Sequence, residues 1–127
     1  MRVLVVDDDA DILRALTWEL EAFADVKALS SVSAALPLVE RGRFDVVVAD
    51  LRLPERWGDE LLAYVAARSP STKRLLLTGD SDPEHTVREL LDRGVIEACF
   101  RKPRAKGLLE AVRSAIRAEE SPPAPTT

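Results

Sequence analysis

The sequence has little cysteine, little histidine and no long apolar run. Cys99 is the single cysteine, so no disulfide can form within the chain, and we expect a reducing compartment. His85 is the single histidine, and we interpret it as a surface residue. No apolar stretch approaches the length of a membrane span, so we expect no contact with a membrane. Met1 and Arg2 lead directly into an apolar run, which predicts no signal peptide and a cytoplasmic location.

The chain also lacks an excess of positive charge. It has 18 lysines and arginines against 22 aspartates and glutamates, and a formal net charge of −4. Without a broad basic field, we expect no direct binding of nucleic acid by this domain. The length of 127 residues suits one domain with one core. We place the folded domain at 1–118, and we interpret the proline-rich 119–127 as a disordered tail or the start of a linker.

Five short apolar runs alternate with five amphipathic segments along the chain. The predicted strands are about Arg2–Val6, Val26–Leu29, Phe44–Ala49, Arg74–Thr78 and Ala98–Arg101. Three of the runs are almost continuously apolar, which is typical of parallel strands buried on both faces. The alternation therefore predicts an α/β fold, a (βα)₅ doubly wound five-stranded parallel sheet with helices on both faces. Pro37 lies inside the second amphipathic segment, where it either occupies the first turns after a Ser33 cap or bends the helix.

Polar side chains stand where four of these strands end. Asp7 and Asp8 follow the first strand, Asp50 the third and Lys102 the fifth, while Thr78 ends the fourth. Since the carboxyl ends of parallel strands share one edge of the sheet, these side chains should converge there. Two carboxylates 4 Å apart repel by about 4 kcal/mol at an effective dielectric of 20, so the cluster requires a cation or a shared proton. Oxygen ligands favour Mg²⁺, for which Mn²⁺ can substitute. A simpler alternative is that Asp7 or Asp8 caps the first helix, although that would not explain Asp50.

At this point the chain resembles a response-regulator receiver domain of two-component signalling, in the CheY-like superfamily. The matching segments are Val3-Leu4-Val5-Val6-Asp7-Asp8-Asp9, Asp50-Leu51-Arg52-Leu53-Pro54 with Gly58, Leu77-Thr78-Gly79 and Arg101-Lys102-Pro103. The resemblance covers residues 1 to about 118 and implies the flavodoxin-like strand order 2-1-3-4-5. It also implies a phosphoacceptor switch that catalyses only its own phosphorylation and dephosphorylation, and that is not otherwise an enzyme.

The resemblance assigns a role to each residue of the cluster. It makes Asp50 the phosphoacceptor, and it has Asp8, Asp50 and the backbone carbonyl of Arg52 bind Mg²⁺ directly. Asp7 then acts mainly through a metal-bound water. Lys102 pairs with Asp50 and later with a phosphoryl oxygen, and Thr78 donates its hydroxyl to that oxygen. The Lys102–Pro103 peptide bond is expected to be cis.

One position departs from the family pattern. The family usually has tyrosine or phenylalanine three residues before the lysine, and here that residue is Cys99, followed by Phe100. Strand alternation predicts that Phe100 points into the core and Cys99 outward. We therefore expect a switch surface of the fourth helix, fifth strand and fifth helix, including Cys99 and Arg101, that works without an aromatic relay.

Three further residues are expected to border the phosphoryl pocket and tune the lifetime of the phosphorylated state. Arg52 and Asp80 each lie two residues beyond a site residue, and a bidentate pair between them would cover the approach of water. Trp57 precedes Gly58 in a loop, where it either shields the mouth of the site or packs as a partly exposed residue.

The resemblance implies a histidine kinase or phosphotransfer protein as one partner and an output domain or effector protein as the other, and it leaves a phosphorylation-dependent dimer open. Three alternatives remain. A haloacid-dehalogenase-type phosphotransferase also has Asp-x-Asp after its first strand, but Asp80-Ser81-Asp82 is too closely spaced to supply its downstream motif. A pseudo-receiver typically lacks one of the five site residues, and none is missing here. A flavodoxin-like FMN module would need a phosphate loop rich in serine and threonine after the first strand, which is absent.

Overall fold

The computed structural model describes residues 1–79, 84–102 and 107–120, with side chains in the last range as far as residue 114. Strands and helices alternate throughout these ranges. In chain order they are β1 (Arg2–Val6), α1 (Ala10–Leu20), β2 (Asp25–Leu29), α2 (Val32–Arg41), β3 (Val46–Asp50), α3 (Gly58–Arg68), β4 (Lys73–Thr78), α4 (Glu84–Asp92), β5 (Ala98–Arg101) and α5 (Leu108–Glu120).

The five strands form one parallel sheet in the order β2-β1-β3-β4-β5, so the predicted fold and strand order are confirmed. The predicted limits of β3, Phe44–Ala49, were wrong: the strand begins two residues later, at Val46, and ends one residue later, at Asp50. β2 and β4 each begin one residue earlier than predicted. α5 continues to Glu120, two residues beyond the expected end of the domain at 118.

The core consists of two apolar clusters, one on each face of the sheet. Val3 and Val5 of β1 pack with buried residues of α1 and α5, whereas Leu4 and Val6 pack on the opposite face with buried residues of α2, α3 and α4. The strands β1, β3 and β4 are apolar on both faces for this reason, because each face is covered by helices. None of the helices in the described ranges is long and apolar enough to cross a bilayer.

The helix caps differ from those that the sequence suggested. Asp9 caps α1, since its side chain accepts hydrogen bonds from the backbone N–H groups of Asp11 and Ile12. The alternative that Asp7 or Asp8 serves as this cap is therefore wrong. Ser31, rather than Ser33, caps α2, and its hydroxyl accepts from the Ala34 N–H. Pro37 consequently lies within α2 and not in its first turn.

The connection from α4 to β5 is held by a buried arginine at the amino edge of the sheet. The Arg74 guanidinium donates to the backbone carbonyls of Gly94 and Val95 and pairs with Glu97 at 3.1 Å. Gly94, just after α4, has a φ of 73°, a conformation that favours glycine. This network fixes the start of β5, and with it the position of the residues at the far end of that strand.

Candidate functional site

The predicted site residues converge at the carboxyl edge of four neighbouring strands. Asp50 is the last residue of β3 and Thr78 the last of β4, while Asp7 directly follows β1 and Lys102 directly follows β5. Because β1, β3, β4 and β5 are adjacent in the sheet, residues more than 90 positions apart in sequence come into contact here. The convergence expected from the sequence is therefore present.

Three carboxylates form the centre of the site. Asp7, Asp8 and Asp50 each offer a carboxylate oxygen, and these oxygens all lie within 4.8 Å of one another. Their exposures differ, however: Asp7 is 0% exposed, Asp50 is 5% exposed, and Asp8 lies open to solvent. The cluster thus has a buried floor made of Asp7 and Asp50 and an exposed rim provided by Asp8.

Lys102 bridges the two buried carboxylates. Its Nζ donates to Asp50 Oδ2 at 3.1 Å, which agrees with the pairing expected from the resemblance. It also donates to both oxygens of Asp7, at 3.2 and 3.1 Å, a contact that was not predicted. One ammonium group therefore partly neutralises two carboxylates that would otherwise repel each other in a poorly solvated site.

The protonation of the site reflects this balance of burial and charge. The pKa of Asp50 is raised to about 6, chiefly by burial and next by the negative charge of Asp7, while Lys102 partly opposes both effects. Burial likewise raises the pKa of Asp7 against the hydrogen bonds from Asp9 and Lys102. Burial lowers the pKa of Lys102, but its bonds to Asp7 and Asp50 outweigh that effect, so the lysine pKa is raised overall. The lysine is therefore charged at neutral pH, next to carboxylates that hold their protons more tightly than usual.

Backbone hydrogen bonds fix the main-chain positions of the residues that carry these side chains. The Asp7 N–H donates to the Leu29 carbonyl at 3.0 Å, which continues the pairing of β1 with β2, and Asp7 Oδ1 accepts from the Asp9 N–H at 2.9 Å. The Lys102 N–H donates to the Thr78 carbonyl at 2.8 Å. Lys102 and Thr78 are thus joined through their backbones although they belong to different strands.

The loop from β3 to α3 holds Asp50 through a close backbone approach. A Cβ atom added at Gly58 would lie 1.9 Å from the Asp50 carbonyl oxygen, so no larger residue fits without a shift of the backbone. The Gly58 N–H also donates to the Leu51 carbonyl at 2.8 Å. The sequence marked Gly58 as part of the motif without revealing this reason for a glycine.

Arg52 and Trp57 pair across the same loop. Their backbones form an isolated β-bridge, and the Arg52 guanidinium carbon lies 5.4 Å from the centre of the Trp57 ring. Trp57 is 47% exposed, so the indole is a partly exposed packing residue in contact with one of the expected tuning residues. The expected partner of Arg52 in the ion pair, Asp80, lies outside the described residues, as does Pro103 with its expected cis bond.

The donor set fits a hard divalent cation. All three side chains offer carboxylate oxygens, and Asp8 remains at the solvent side of the cluster while Lys102 occupies the side of Asp7. Oxygen donors around an exposed rim suit Mg²⁺, which keeps several of its waters when it binds to proteins. Asp7, Asp8 and Asp50 are the described residues whose carboxylates lie close enough together to hold such an ion.

A cleft of about 560 Å³ opens between α4 and β5 beside Thr78. Its lining includes Thr78, Val87, Leu91, Cys99 and Arg101. Cys99 packs against the same apolar cluster as α4, while Phe100 packs on the opposite face of the sheet. Phe100 packs against the core as predicted, but the expectation that Cys99 points outward was wrong: Cys99 is also half-buried, because it packs against the apolar cluster that includes Leu90 while lining the cleft. Burial accordingly raises the pKa of its thiol, against the opposing charge of Arg101.

Comparison with known protein families gives a single consistent result. The family model described as the response regulator receiver domain matches residues 3–113. The hydrogenase transcriptional regulatory protein HoxA of Cupriavidus necator is 30% identical over 117 residues, which cover 92% of this chain and 24% of HoxA. The DNA-binding response regulator MtrA of Mycolicibacterium smegmatis is 33% identical over 125 residues, which cover 97% of this chain and 54% of MtrA.

Solved structures agree with these sequence relatives. The signal receiver domain of an HD domain-containing protein from Pseudomonas fluorescens Pf-5 superposes with a TM-score of 0.83 at 31% identity, covering 95% of this chain and 98% of that one. The chain spans about a quarter of the length of the first curated relatives that it matches. What those longer proteins do beyond the matched region is therefore not carried by this stretch of sequence.

Proposed function

Since this chain belongs to the response regulator receiver family, we propose that it works as a switch in which Asp50 accepts a phosphoryl group. The observation that carries the proposal is the contact of Lys102 with both Asp7 and Asp50 at the end of β3. This contact places a cation beside the one carboxylate that ends a central strand and still has exposed surface. A phosphoryl group bound to Asp50 would lie within reach of the Lys102 ammonium group without any rearrangement of the sheet.

We expect Asp8, Asp50 and the Arg52 carbonyl to bind Mg²⁺ directly, and Asp7 to act mainly through a metal-bound water. The support is the exposed position of Asp8 and the engagement of Asp7 by Lys102 and the Asp9 N–H. A bound Mg²⁺ would supply positive charge where the carboxylates and the phosphoryl oxygens come together. With the lysine, it would balance the three negative charges of the carboxylates.

The protein promotes the chemical step mainly by positioning the reacting groups and by stabilising negative charge. An oxygen of the ionised Asp50 carboxylate attacks phosphorus in line with the bond to the donor. The new O–P bond makes an acyl phosphate, while the donor's bond to phosphorus breaks and the leaving group keeps its electron pair. Lys102 can then turn from the Asp50 carboxylate to an oxygen of the phosphoryl group, and Thr78 can donate its hydroxyl to another.

The exposures favour this reaction over catalysis by Asp7. In a dehalogenase-type phosphotransferase, Asp7 would be the nucleophile, yet Asp7 has no exposed surface and its oxygens accept bonds from Lys102 and Asp9. Asp50 keeps a small opening toward solvent through which a phosphodonor can approach. We therefore propose a phosphoacceptor switch and not an enzyme that turns over phosphate esters.

The cleft beside Thr78 supports a switch that lacks an aromatic relay. When Thr78 moves toward a phosphoryl oxygen, it moves away from a space that it shares with Cys99 and Arg101. Only Leu90 of α4 is fully buried among the helix residues described, so this helix can shift at low cost. We propose that the surface formed by α4, β5 and α5 changes its population of states in this way.

Arg52 and Trp57 are proposed to set the lifetime of the phosphorylated state, together with Asp80. The support is the cation–π contact between the Arg52 guanidinium and the Trp57 indole in the loop that leaves Asp50. A pair held in this loop can restrict the water that must approach Asp50 in line with the O–P bond. Replacing Arg52 and Asp80 together by alanine should shorten the phosphate half-life, and an unchanged half-life would leave Trp57 as the residue that covers the site.

The partners follow from the chemistry of the switch. We propose a histidine kinase or phosphotransfer protein as donor, and an output domain or effector as the reader of the surface formed by α4, β5 and α5. Several relatives are transcriptional regulators, and the chain itself carries no basic field with which to bind nucleic acid. A dimer that forms only after phosphorylation is compatible with this arrangement.

The decisive contrast is between stoichiometric labelling and turnover. The purified chain should be incubated with acetyl phosphate, with and without Mg²⁺, and both the protein mass and the released phosphate should be followed. We expect at most one phosphoryl group per chain, dependence on Mg²⁺, and no hydrolysis of ordinary phosphate monoesters. Rapid turnover of monoesters that is abolished by Asp7→Asn but retained by Asp50→Asn would instead support the phosphotransferase.

A further inference from the structure

An exposed tryptophan, Trp18, lies in the last turn of α1. Trp18 is 82% exposed, more than any other large apolar side chain of the described residues. It borders two grooves, one toward β2 and one toward the start of α5. Together with the largely apolar groove toward β2, the indole forms a contiguous exposed apolar patch, which is typical of a surface that binds a partner.

The groove toward β2 has the character of a binding site. It encloses about 430 Å³, and its lining is largely apolar, including Ala10, Leu13 and Ala28. Thr17 lines the same groove, and its Oγ1 is buried without a hydrogen-bond partner within the described part of the chain. This oxygen has no exposed surface, so the apolar floor of the groove, and not the hydroxyl, is what a partner would contact.

The charges beside Trp18 are arranged so that the face complements itself. Arg14 lies one turn before Trp18 and Glu21 about one turn after it, and both line the groove. When two copies of α1 run antiparallel about an axis near Trp18, Arg14 of one copy faces Glu21 of the other, and the contact occurs twice. Self-complementarity of this kind is the property of a two-fold interface between identical chains.

We propose that this face of α1 binds the same face of a second copy of the chain, with each Trp18 indole entering the partner's groove toward β2. The indole ring covers the apolar floor of the partner's groove, and its N–H can stay at the solvated rim. Arg14 pairs with Asp11 at 3.1 Å within the chain, but both side chains are highly exposed, so this pair is easily exchanged for Glu21 of the other copy. The proposal uses none of the residues of the phosphoryl site, and the pairing should form with or without phosphorylation.

The first test is the oligomeric state as a function of concentration, measured by sedimentation. A single helix face buries a small area, so we expect a reversible dimer with a dissociation constant between about 1 μM and 1 mM. Trp18→Ala should weaken it at least about tenfold, as is usual for a tryptophan at the centre of an interface. Trp57→Ala is the matched control, because it removes the only other tryptophan from a loop outside this face and should leave the dimer intact. In Trp57→Phe, the remaining Trp18 fluorescence should shift to the blue as the dimer forms.

The second test is a charge exchange, which distinguishes this pairing from other uses of the same face. Arg14→Glu and Glu21→Arg should each weaken the dimer through like charges, and the double variant should restore it, since both contacts regain opposite charges. A chain that stays monomeric up to about 1 mM would overturn the proposal and assign the face to a different protein. A dimer that survives Trp18→Ala, or one that the double variant fails to restore, would also contradict it.

Discussion

Asp50→Asn should make the metal-free chain more stable at neutral pH, although it removes the residue on which the function depends. The pKa of Asp50 is raised from 3.8 to about 6, chiefly by burial and next by the charge of Asp7. Each pH unit corresponds to about 1.4 kcal/mol, so holding Asp50 ionised in the folded state lowers the free energy of unfolding by about 3 kcal/mol. Asparagine has nearly the same shape and no charge, and it should recover most of this loss.

The pH dependence follows from the sign of the shift. A carboxyl whose folded-state pKa lies above its unfolded value contributes its stability fully below the unfolded pKa and loses it as the pH rises through the folded pKa. The advantage of Asp50→Asn should therefore be about 3 kcal/mol near pH 8, about half of that near pH 5, about 0.5 kcal/mol near pH 4 and close to zero near pH 3.

Urea unfolding in the presence of a chelator, followed by tryptophan fluorescence, measures this difference. The exposed Asp92 provides the control, and Asp92→Asn should change stability by no more than about 0.5 kcal/mol at any of these pH values. A variant Asp50→Asn that is less stable than the parent at pH 8, or that gains the same amount at every pH, would refute the reasoning from burial and charge.

Three further predictions concern the surroundings of Asp50. Mg²⁺ should raise the melting temperature of the parent chain but not that of Asp8→Ala, which should stay folded and should no longer be phosphorylated. Gly58→Ala should lower the free energy of unfolding by about 2 kcal/mol or more and slow phosphorylation, because its Cβ would lie 1.9 Å from the Asp50 carbonyl oxygen. Urea unfolding and the rate of labelling by acetyl phosphate measure the two effects. Unchanged stability and rate would show that the loop adjusts to the added methyl group. Cys99→Tyr should change stability by less than about 1 kcal/mol, since the ring can occupy the cleft of about 560 Å³ beside α4; a larger loss would mean that the cleft is closed in solution.

The architecture could be predicted because its signals are local and repeated. Continuous apolar runs indicate strands covered on both faces, and the order of alternation leaves few ways to arrange them. The convergence of Asp7, Asp50 and Lys102 followed from one geometric fact, namely that parallel strands end at the same edge of a sheet. That inference needs only the strand ends, and errors of one or two residues in their limits did not affect it.

The details that failed depend on neighbours that are distant in the sequence. Strand alternation separates Cys99 from Phe100 correctly, but it cannot tell that a second apolar cluster packs against the face on which Cys99 lies. The contact of Lys102 with Asp7 depends on side-chain conformation across the sheet, and no spacing in the sequence encodes it. The choice of Ser31 over Ser33 as the α2 cap shows the same limit at short range, because both serines satisfy the cap preference.

The central claim is that Asp50, and no other carboxylate of the cluster, carries the phosphoryl group. The most direct measurement is peptide mapping of the chain after treatment with acetyl phosphate and Mg²⁺, with the acyl phosphate trapped by reduction with borohydride. We predict that the modified residue is Asp50, that the label is lost in base as an acyl phosphate should be, and that Asp50→Asn takes up none. Equal labelling of Asp50→Asn, or a label mapped to Asp7 or Asp8, would contradict the account.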